Sequence, residues 1–406
     1  MQIQGGQRRR SAPDPTFSVL RGDQRGPLGK LVDAFVVVVA QVAVAAMCGI
    51  YAVLKKLPTR NKIVLMSRLY DQTSQDFAGV RDEIHRQSPR THVVVLNHRN
   101  TRPWAVPGQM LVEMYQLATS RACVTDSYMA AISALEHKDE LIIVQMWHAL
   151  GAIKRFGLAA VGTAEGRPGG LARVMRMHHG YDWVIAGGKR MVEPFAESFG
   201  VAPDHVLPIG TPRVDLLRDP DYLAGKRKRI DAAHPQLRDR RVVLYAPTFR
   251  TGDPVRVEPL LDALIEAELD VVVALHPLDH RDFSRLPGVT QDPTFTTLDW
   301  LTIASDLVTD YSAVAFDAAV LGVPIYAYAY DLDEYRERRG IPFDYEHDMP
   351  GVVHRDEKSV VRALLEHAVT DADVERFREN FVSEPDGGST RRIAALALGA
   401  SPAELG

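Results

Sequence analysis

Short apolar runs alternate with amphipathic stretches along the chain from about residue 58 onward. In the first half of this region the runs are almost continuously apolar instead of alternating with polar residues. Such runs are typical of strands that are buried on both faces, as in a parallel sheet covered by helices. The pattern predicts six strands: Ile63–Met66, His92–Leu96, Ala122–Thr125, Leu141–Met146, Trp183–Ala186 and Val206–Ile209.

A second series of the same kind begins after a charged, proline-containing stretch, residues 219–240, which reads as an interdomain connection. Two consecutive βαβ series predict an α/β fold with two doubly wound, Rossmann-like domains facing a cleft, the GT-B-like arrangement. The predicted domains cover residues 58–218 and 219–406. The elements predicted in the second series are strands Val242–Ala246, Val271–Leu275, Leu307–Thr309 and Pro324–Ala327, and helices near Val257–Ala267 and Val314–Leu321.

An uncharged stretch, Ala34–Leu54, precedes the first strand. A helix of this length, at about 1.5 Å per residue, just spans a hydrocarbon core of about 30 Å. Residues 31–57 are therefore predicted to contact the membrane, spanning it or lying in its interface, with a buried core helix as the alternative. Residues 1–30, rich in Arg, Gly, Pro and Ser, are predicted to be disordered. The cations that follow the stretch suit anionic headgroups: Lys55, Lys56, Arg60 and Lys62.

The net charge of −4 argues against sequence-independent nucleic-acid binding, which needs a clustered basic surface. Two cysteines, Cys48 and Cys123, form no disulfide framework, which fits a reducing compartment. The sequence has no Walker-type glycine loop, no GxGxxG after the first strand and no GxSxG elbow. It also has no His/Cys pair at metal-ligand spacing, so no metal site and no required cofactor are predicted. His178 and His179 lie in a basic, helix-like stretch and are predicted to be at the surface.

Several chemically distinctive residues follow predicted strands. Open parallel sheets bind ligands just beyond the carboxyl ends of their strands. His148 follows the strand Leu141–Met146, and a histidine with a pKa near neutrality could take a proton from a hydroxyl nucleophile. The alternative is a core histidine beside a packing tryptophan, Trp147. Lys154, further along, could neutralise phosphate.

Two further clusters follow strands of the second series. Pro247 ends the strand Val242–Ala246, which leaves Thr248 and Arg250 to face the cleft, where a guanidinium matches phosphate oxygens. His276 follows the strand Val271–Leu275 and could donate a hydrogen bond or a proton to a leaving phosphate. A loop arginine and a loop histidine without function are the alternatives.

The richest cluster surrounds the strand Leu307–Thr309 and the helix after it. Asp310 or Ser312 is positioned as the N-cap, and the free N–H groups of a helix start form an anion site. Asp317, in the early helix, could hydrogen-bond polyol hydroxyls. A weaker cluster directs Arg213 toward phosphate.

Together these motifs resemble the CDP-glycerol glycerophosphotransferase family, whose members prime and polymerise teichoic acids. The resemblance runs from about residue 55 to about residue 353. Two departures are Ala149, where the family commonly has glycine, and Ala313, where it commonly has a second serine. The motifs are WHALGAIKRFG, GTPR-x-D, YAPTFR, LHP, SDLVTDYSAVAFD and PIYAYAYDLDEYRERRGIPFDYEHDMPG.

The resemblance implies a GT-B fold, an N-terminal acceptor domain, a C-terminal CDP-donor domain and a catalytic role for His148. It implies transfer of glycerol phosphate from CDP-glycerol to a lipid-linked, teichoic-acid-type polymer at the cytoplasmic face of the cell membrane, with release of CMP. His276 is expected to act in catalysis and donor binding. Donor contacts are implied for Thr309, Asp310, Tyr311 and Ser312.

Three alternatives remain at this point. The donor could be CDP-ribitol. The chain could be a GT-B sugar transferase that uses UDP- or GDP-sugars, because the fold alone permits it. It could also be a nucleotide-binding scaffold without turnover, against which the presence of both His148 and His276 argues.

Overall fold

The computed structural model describes residues 27–98, 105–163, 166, 169–250, 255–382 and 387–405. Its first parallel sheet has the strand order β2-β1-β3-β4-β5-β6. The central strand β1 is buried at all six positions because both of its faces are covered. The strands are β1 Lys62–Ser67, β2 His92–Asn97, β3 Ala122–Thr125, β4 Ile142–Gln145, β5 Trp183–Ile185 and β6 Val206–Leu207.

A second parallel sheet has the order β11-β10-β7-β8-β9. Two parallel sheets, each flanked by helices, confirm the predicted α/β, GT-B-like fold. The strands are β7 Val242–Ala246, β8 Asp270–Val273, β9 Val289–Thr290, β10 Asp306–Thr309 and β11 Ile325–Ala327.

Helices connect and cover the strands of both sheets. The α-helices are α1 Pro27–Leu54, α2 Gln75–Gln87, α3 Val106–Thr119, α4 Ala130–Ser133, α5 Gly169–Val174, α6 Val192–Phe199, α7 Pro212–Leu216, α8 Pro220–Ala233, α9 Glu258–Glu266, α10 Thr297–Leu301, α11 Val314–Leu321, α12 Leu332–Arg339, α13 Tyr345–Asp348, α14 Glu357–Leu365, α15 Asp371–Phe381 and α16 Ser389–Leu398. Short 3₁₀ helices cover Gly157–Ala160, Lys189–Met191, Pro203–His205, Pro235–Leu237 and Pro402–Glu404.

Two elements differ from the sequence-based prediction. The strand β9 was not predicted, because two residues are too short to show a periodic pattern. The stretch 219–240, interpreted as a connection, contains the helix α8. Asp219 caps this helix by accepting hydrogen bonds from Asp221 N and Tyr222 N, and Ile230 is its only buried residue. With so small an apolar face, α8 shows little helical periodicity in the sequence.

The helix α1 contains the predicted apolar stretch. Its segment Leu31–Leu54 is long and apolar enough to cross a membrane, and the rest of the chain buries none of its most apolar window. Among residues 31–54 of this helix, only Tyr51, near its end, is buried; the Tyr51 hydroxyl lies 2.7 Å from His137 Nδ1. The helix is therefore not a core helix, although its C-terminal end is packed against the first sheet's helices.

The last helix, α16, packs on the first sheet, not on the second. Ile393, Ala394, Leu396 and Ala397 share an apolar core with β1 and α2. The carboxylate of Asp215 accepts hydrogen bonds from the backbone N–H groups of residues 388, 389 and 390, at 2.8–3.2 Å, and so caps α16. The predicted second domain, residues 219–406, thus ends in a helix that belongs structurally with the first sheet. The exact domain boundaries stay a prediction.

Candidate active site

A cavity of about 880 Å³ lies between the carboxyl ends of the strands of the two sheets. The segments that follow β1, β4 and β6 line it from the first sheet, and those that follow β7, β8 and β10 line it from the second. Most of the residues singled out in the sequence meet here. Those that line the cavity are His148, Arg213, Thr248, Arg250, His276, Tyr311, Ser312 and Asp317.

A backbone carbonyl holds the ring of His148, which lines this cavity. Its Nδ1 lies 3.1 Å from Asp126 O, and because a carbonyl can only accept, Nδ1 carries the hydrogen. The neutral ring therefore keeps its lone pair on Nε2. Burial lowers the pKa of His148 to about 4. The nearby cations Arg213 and Lys154 act in the same direction, whereas the hydrogen bond to Asp126 opposes the shift. The imidazole is therefore neutral at physiological pH and available as a proton acceptor, but it is a weaker base than the near-neutral histidine that the sequence predicted.

The turn before His148 is an unusual piece of backbone. Trp147 adopts φ 60°, a conformation rare for a bulky residue. Gln145 Oε1 accepts a hydrogen bond from Trp147 N at 2.9 Å, and Gln145 Nε2 donates to Ser127 O at 3.2 Å. This fully buried amide joins the turn that carries His148 to the loop that carries Asp126.

Aromatic rings support the same turn. The Trp147 ring stacks on Phe156 with centroids 4.7 Å apart. His178, predicted to be at the surface, is buried, and its ring packs edge-on against Phe199 at 4.9 Å. That prediction was wrong for His178, because its tertiary neighbours are aromatic residues far away in sequence. Its neighbour His179 is exposed, as predicted.

His276 uses its ring nitrogens in the opposite way. Its Nδ1 accepts a hydrogen bond from Leu278 N at 3.2 Å, so in the neutral ring Nε2 carries the hydrogen. Burial, and then the charge of Lys154, lower the pKa of His276, which keeps it neutral. An N–H group on the second sheet's side of the cavity can hydrogen-bond a phosphate oxygen.

Arg250 faces the cavity but its guanidinium is not free. Its Nη1 lies 2.8 Å from Asp310 Oδ2, and its Nε lies 2.8 Å from Asp331 Oδ2. Tyr311 also donates its hydroxyl to Asp331 Oδ1 at 3.0 Å. Arg250 thus lines the cavity, as predicted, but two carboxylates already pair with its guanidinium, and its contact with a donor phosphate stays a prediction. Arg250 ties the loop after β7 to the loop after β10.

Two of the donor-binding candidates lie behind the cavity wall. Thr309 is fully buried, and its hydroxyl donates to Ala246 O at 2.7 Å. Asp310 Oδ1 accepts from Thr248 N at 2.8 Å and from Tyr311 N at 2.7 Å. Their side chains shape the wall and do not line it.

The start of α11 opens onto the cavity. Its N-cap is Ala313 and not Asp310 or Ser312, as the sequence had suggested. Ser312 Oγ still accepts a long hydrogen bond, 3.4 Å, from Val314 N. The N-terminus of α11 places positive dipole charge at the cavity, which favours an anion.

Arg213 connects the two sheets across the cavity. Its guanidinium lies 3.6 Å from Asp317 Oδ2 in α11 and 3.4 Å from Asp76 Oδ2 in α2. Burial disfavours the charge on Arg213, but the two carboxylates outweigh it and raise its pKa. Burial raises the pKa of Asp317 to about 6, and Asp317 Oδ1 has no hydrogen-bond partner. This oxygen is itself buried, although the Asp317 residue lines the cavity.

Several site residues were missed in the sequence. Asp76, Asp126 and Gln145 carried no local signal, because their contacts come from distant segments. Asp331 lies inside the run PIYAYAYDLDEY, and this acidic residue after an aromatic strand was the one available hint. Within the described residues, no group of three His, Cys, Asp or Glu side chains is arranged to hold a metal ion. That no cofactor is required stays a prediction.

Two parallel β-sheets, each flanked by helices, with a ligand-sized cavity between the carboxyl ends of their strands define a GT-B-like transferase fold. The family model for CDP-glycerol:poly(glycerophosphate) glycerophosphotransferase matches residues 50–398. The chain therefore belongs to this family, which confirms the resemblance seen in its motifs.

Relatives and solved structures agree with this assignment. The chain is 29% identical over 360 residues to the teichoic acid ribitol-phosphate primase of Bacillus spizizenii, covering 83% of this chain and 91% of that protein. It is 28% identical over 314 residues to the teichoic acid glycerol-phosphate primase of Bacillus subtilis, covering 75% and 79%. The wall teichoic acid polymerase TagF shares its fold, with a TM-score of 0.67 at 19% identity, covering 90% of this chain and 97% of that one. The family is one of CDP-polyol phosphotransferases, with glycerol and ribitol members alike.

Proposed function

We propose that this protein transfers glycerol phosphate from CDP-glycerol to a hydroxyl of a lipid-linked, teichoic-acid-type acceptor and releases CMP. The observation that carries the proposal is the pair of neutral histidines in one cavity with opposite tautomers. His148 offers a lone pair on Nε2, and His276 offers an N–H on Nε2. Such a pair suits a reaction in which one oxygen loses a proton while another gains negative charge.

The mechanism is an in-line displacement at the phosphorus that bears the polyol. The acceptor oxygen forms the new P–O bond as its proton moves to His148 Nε2. The bond between that phosphorus and the bridging oxygen breaks, and CMP departs with the bridging oxygen. His276 Nε2–H stabilises the negative charge on the leaving phosphate.

Other cavity groups support the same donor orientation. The N-terminus of α11 attracts the diphosphate. Asp317, which lines the cavity, is assigned to a polyol hydroxyl of the donor. Thr248, Tyr311 and Ser312 complete the donor wall.

Membrane contact is the second part of the proposal, at the cytoplasmic face of the cell membrane. The outer face of α1 exposes large apolar side chains, among them Leu31, Phe35 and Val42, each more than 60% exposed. The inner face packs on the protein from Val37, beside Gly170, to Leu54. That packed segment is about 25 Å long at about 1.5 Å per residue, so a helix lying in the plane of the membrane interface fits this docking better than a spanning one.

Ribitol phosphate is the alternative cargo, favoured by the similarity to the ribitol-phosphate primase. One assay separates the candidates. Purified full-length protein is incubated with a lipid-linked acceptor and, in turn, CDP-glycerol, CDP-ribitol and UDP-glucose, and the released nucleotide is measured. We expect CMP from CDP-glycerol. CMP from CDP-ribitol alone would reassign the donor, and UDP release or no release at all would overturn the proposal.

A further inference from the structure

The cavity has a second wall that the donor chemistry leaves unused. It is formed by the segment between β1 and α2, where Tyr70, Gln72, Thr73 and Ser74 line the cavity. These side chains carry hydroxyl and amide groups and no charge. Asp76, the next ionisable residue along this wall, is already paired with Arg213.

The hydroxyl groups of this wall are fixed by donors from behind. Asn97 Nδ2, at the end of β2, donates to Thr73 Oγ1 at 3.1 Å. Phe77 N donates to Ser74 Oγ at 3.2 Å, which caps α2. Because each oxygen already accepts one hydrogen bond, each hydroxyl keeps its own hydrogen to donate elsewhere. No acceptor within the described residues takes either hydrogen.

This wall belongs to the first sheet, as does His148, whereas His276 and the start of α11 belong to the second. Tyr70 is close enough to Arg213, Asp126 and Asp76 for their charges to affect its pKa, which burial raises. Asp126 in turn holds the His148 ring through its carbonyl. The uncharged wall and the general base are therefore neighbours on one side of the cavity, facing the proposed donor groups on the other.

We infer that Gln72, Thr73 and Ser74 form the acceptor subsite, which takes the hydroxyl-bearing end of a polyol or sugar. This inference rests on the proposed function and adds to it the residues that present the nucleophile. Neutral hydroxyl and amide groups match the hydroxyls of such a chain end, whereas a phosphate would be expected to select cations. The subsite holds the chain end so that one hydroxyl reaches His148 Nε2 while its neighbours bond to Thr73 and Ser74.

The test is Thr73→Val, which removes the hydroxyl but keeps the branched shape. The full-length protein is assayed with CDP-glycerol and two acceptors, a soluble oligo(glycerol phosphate) and a short-chain alkyl disaccharide. Loss of one hydrogen bond should raise the acceptor KM by about three- to tenfold, with the donor KM unchanged. The acceptor whose KM rises identifies the chain end as polyol or sugar. Thr59→Val, at a site outside the cavity lining, is the matched control.

The outcomes separate the subsite from the reaction itself. If wild-type protein releases CMP and Thr73→Val leaves the KM of both acceptors unchanged, the subsite is wrong and the proposed function stands. If wild-type protein releases no CMP with any acceptor or with water, the proposed function itself is refuted, and the subsite with it. If Thr73→Val has a lowered melting temperature, Asn97→Ala is tested in its place. This variant removes the hydrogen-bond donor that orients Thr73 and should raise the same acceptor KM.

Discussion

At the scale of single residues, the site depends on two histidines whose backbone partners differ. A carbonyl oxygen holds Nδ1 of His148, and a backbone N–H holds Nδ1 of His276. The partner of one ring nitrogen determines where the hydrogen lies in a neutral imidazole. Two residues of one type thus present a proton acceptor and a proton donor to the same cavity without any change of charge.

His148→Ala should lower turnover by about 10²–10⁴-fold while leaving the affinity for CDP-glycerol within about tenfold. The reason is that the base is lost while the donor groups on the second sheet remain. CMP release and isothermal titration measure the two quantities. His205→Ala is a matched control, because His205 Nδ1 also contacts a backbone carbonyl, that of Asp182, but on the exposed surface. Near-normal turnover in His148→Ala would refute the assignment.

The pH dependence gives the same residue a second test. The pKa of His148 is lowered to about 4, so its base form exists above that pH and is lost only as the pH falls toward it. The kcat/KM of wild-type protein should therefore not decline around pH 6.5, where an ordinary histidine takes up a proton. Asp317 has a pKa of about 6, so a decline near that pH that disappears in Asp317→Asn belongs to Asp317. A decline near pH 6.5 that persists in that variant would contradict the assignment.

Gln145 acts on His148 without touching substrate, as a positioning residue. Gln145→Leu breaks its bonds to Trp147 N and Ser127 O, so the turn should shift and kcat should fall by roughly tenfold to a hundredfold. Added to His148→Ala, it should cause no further loss, since it works only through that ring. Gln291→Leu breaks a similar backbone bridge outside the cavity lining and is the control. Additive losses would indicate general damage to the fold.

At the scale of elements, the loops after β7 and β10 form one unit through Arg250. Its ion pairs with Asp310 and Asp331 are largely shielded, with the Arg250 side chain 12% exposed. Removing one partner of a buried pair leaves the other charges without compensation, which typically costs about 3–5 kcal/mol. Arg250 therefore contributes to the shape of this wall of the cavity by joining the two loops.

His276→Ala and Arg250→Ala should consequently impair the protein in different ways. His276→Ala should weaken CDP-glycerol binding or lower turnover with little change in melting temperature. Arg250→Ala should lower the melting temperature as well, because it leaves Asp310 and Asp331 unpaired. Thermal unfolding and isothermal titration of both variants provide the measurements. Unchanged affinity and turnover in both would place the donor elsewhere, and an unchanged melting temperature in Arg250→Ala would refute the structural role.

At the scale of the whole molecule, the apolar helix α1 is attached to the helices and loops around the first sheet. Tyr51, Lys55 and Lys138 join the end of α1 to the first sheet's helices and loops, through His137 and Leu57. Beside α1, the helix α3 exposes Leu111 and Val112. An apolar surface of two adjacent helices suits the membrane interface, where it would hold the cavity close to a lipid-linked acceptor.

Deleting residues 1–46 should release the protein from anionic vesicles while activity on a soluble acceptor persists. This truncation removes most of the exposed apolar face but keeps Tyr51, whereas deletion of residues 1–57 also removes that buried ring and should destabilise the fold. Vesicle sedimentation and CMP release are the measurements. Leu111→Asp in the full chain should weaken vesicle binding, with Leu278→Asp on the second domain as the control. Vesicle binding that survives the truncation would refute the membrane role of α1.

The local pattern of apolar and polar residues in the sequence was sufficient to predict much of the fold. Continuous apolar runs predicted ten of the eleven strands in the described residues, because burial on both faces of a parallel sheet is a local property of each strand. The motifs at strand ends identified the cavity, since parallel strands bring their carboxyl ends to one edge. Family membership followed from the order of those motifs.

How those residues are used depends on contacts between segments that are distant in the sequence. The lone pair on His148 depends on a carbonyl from the loop after β3, and the neutralised charge of Arg250 depends on a carboxylate 81 positions away. His178 is buried by rings from other elements, and α16 returns to the first sheet across the whole chain. Periodicity reports which faces are apolar, but it carries no information about which distant group meets a given polar atom. Hydrogen-bond partners, and with them the chemistry of each side chain, are set by the packing of segments far apart in sequence.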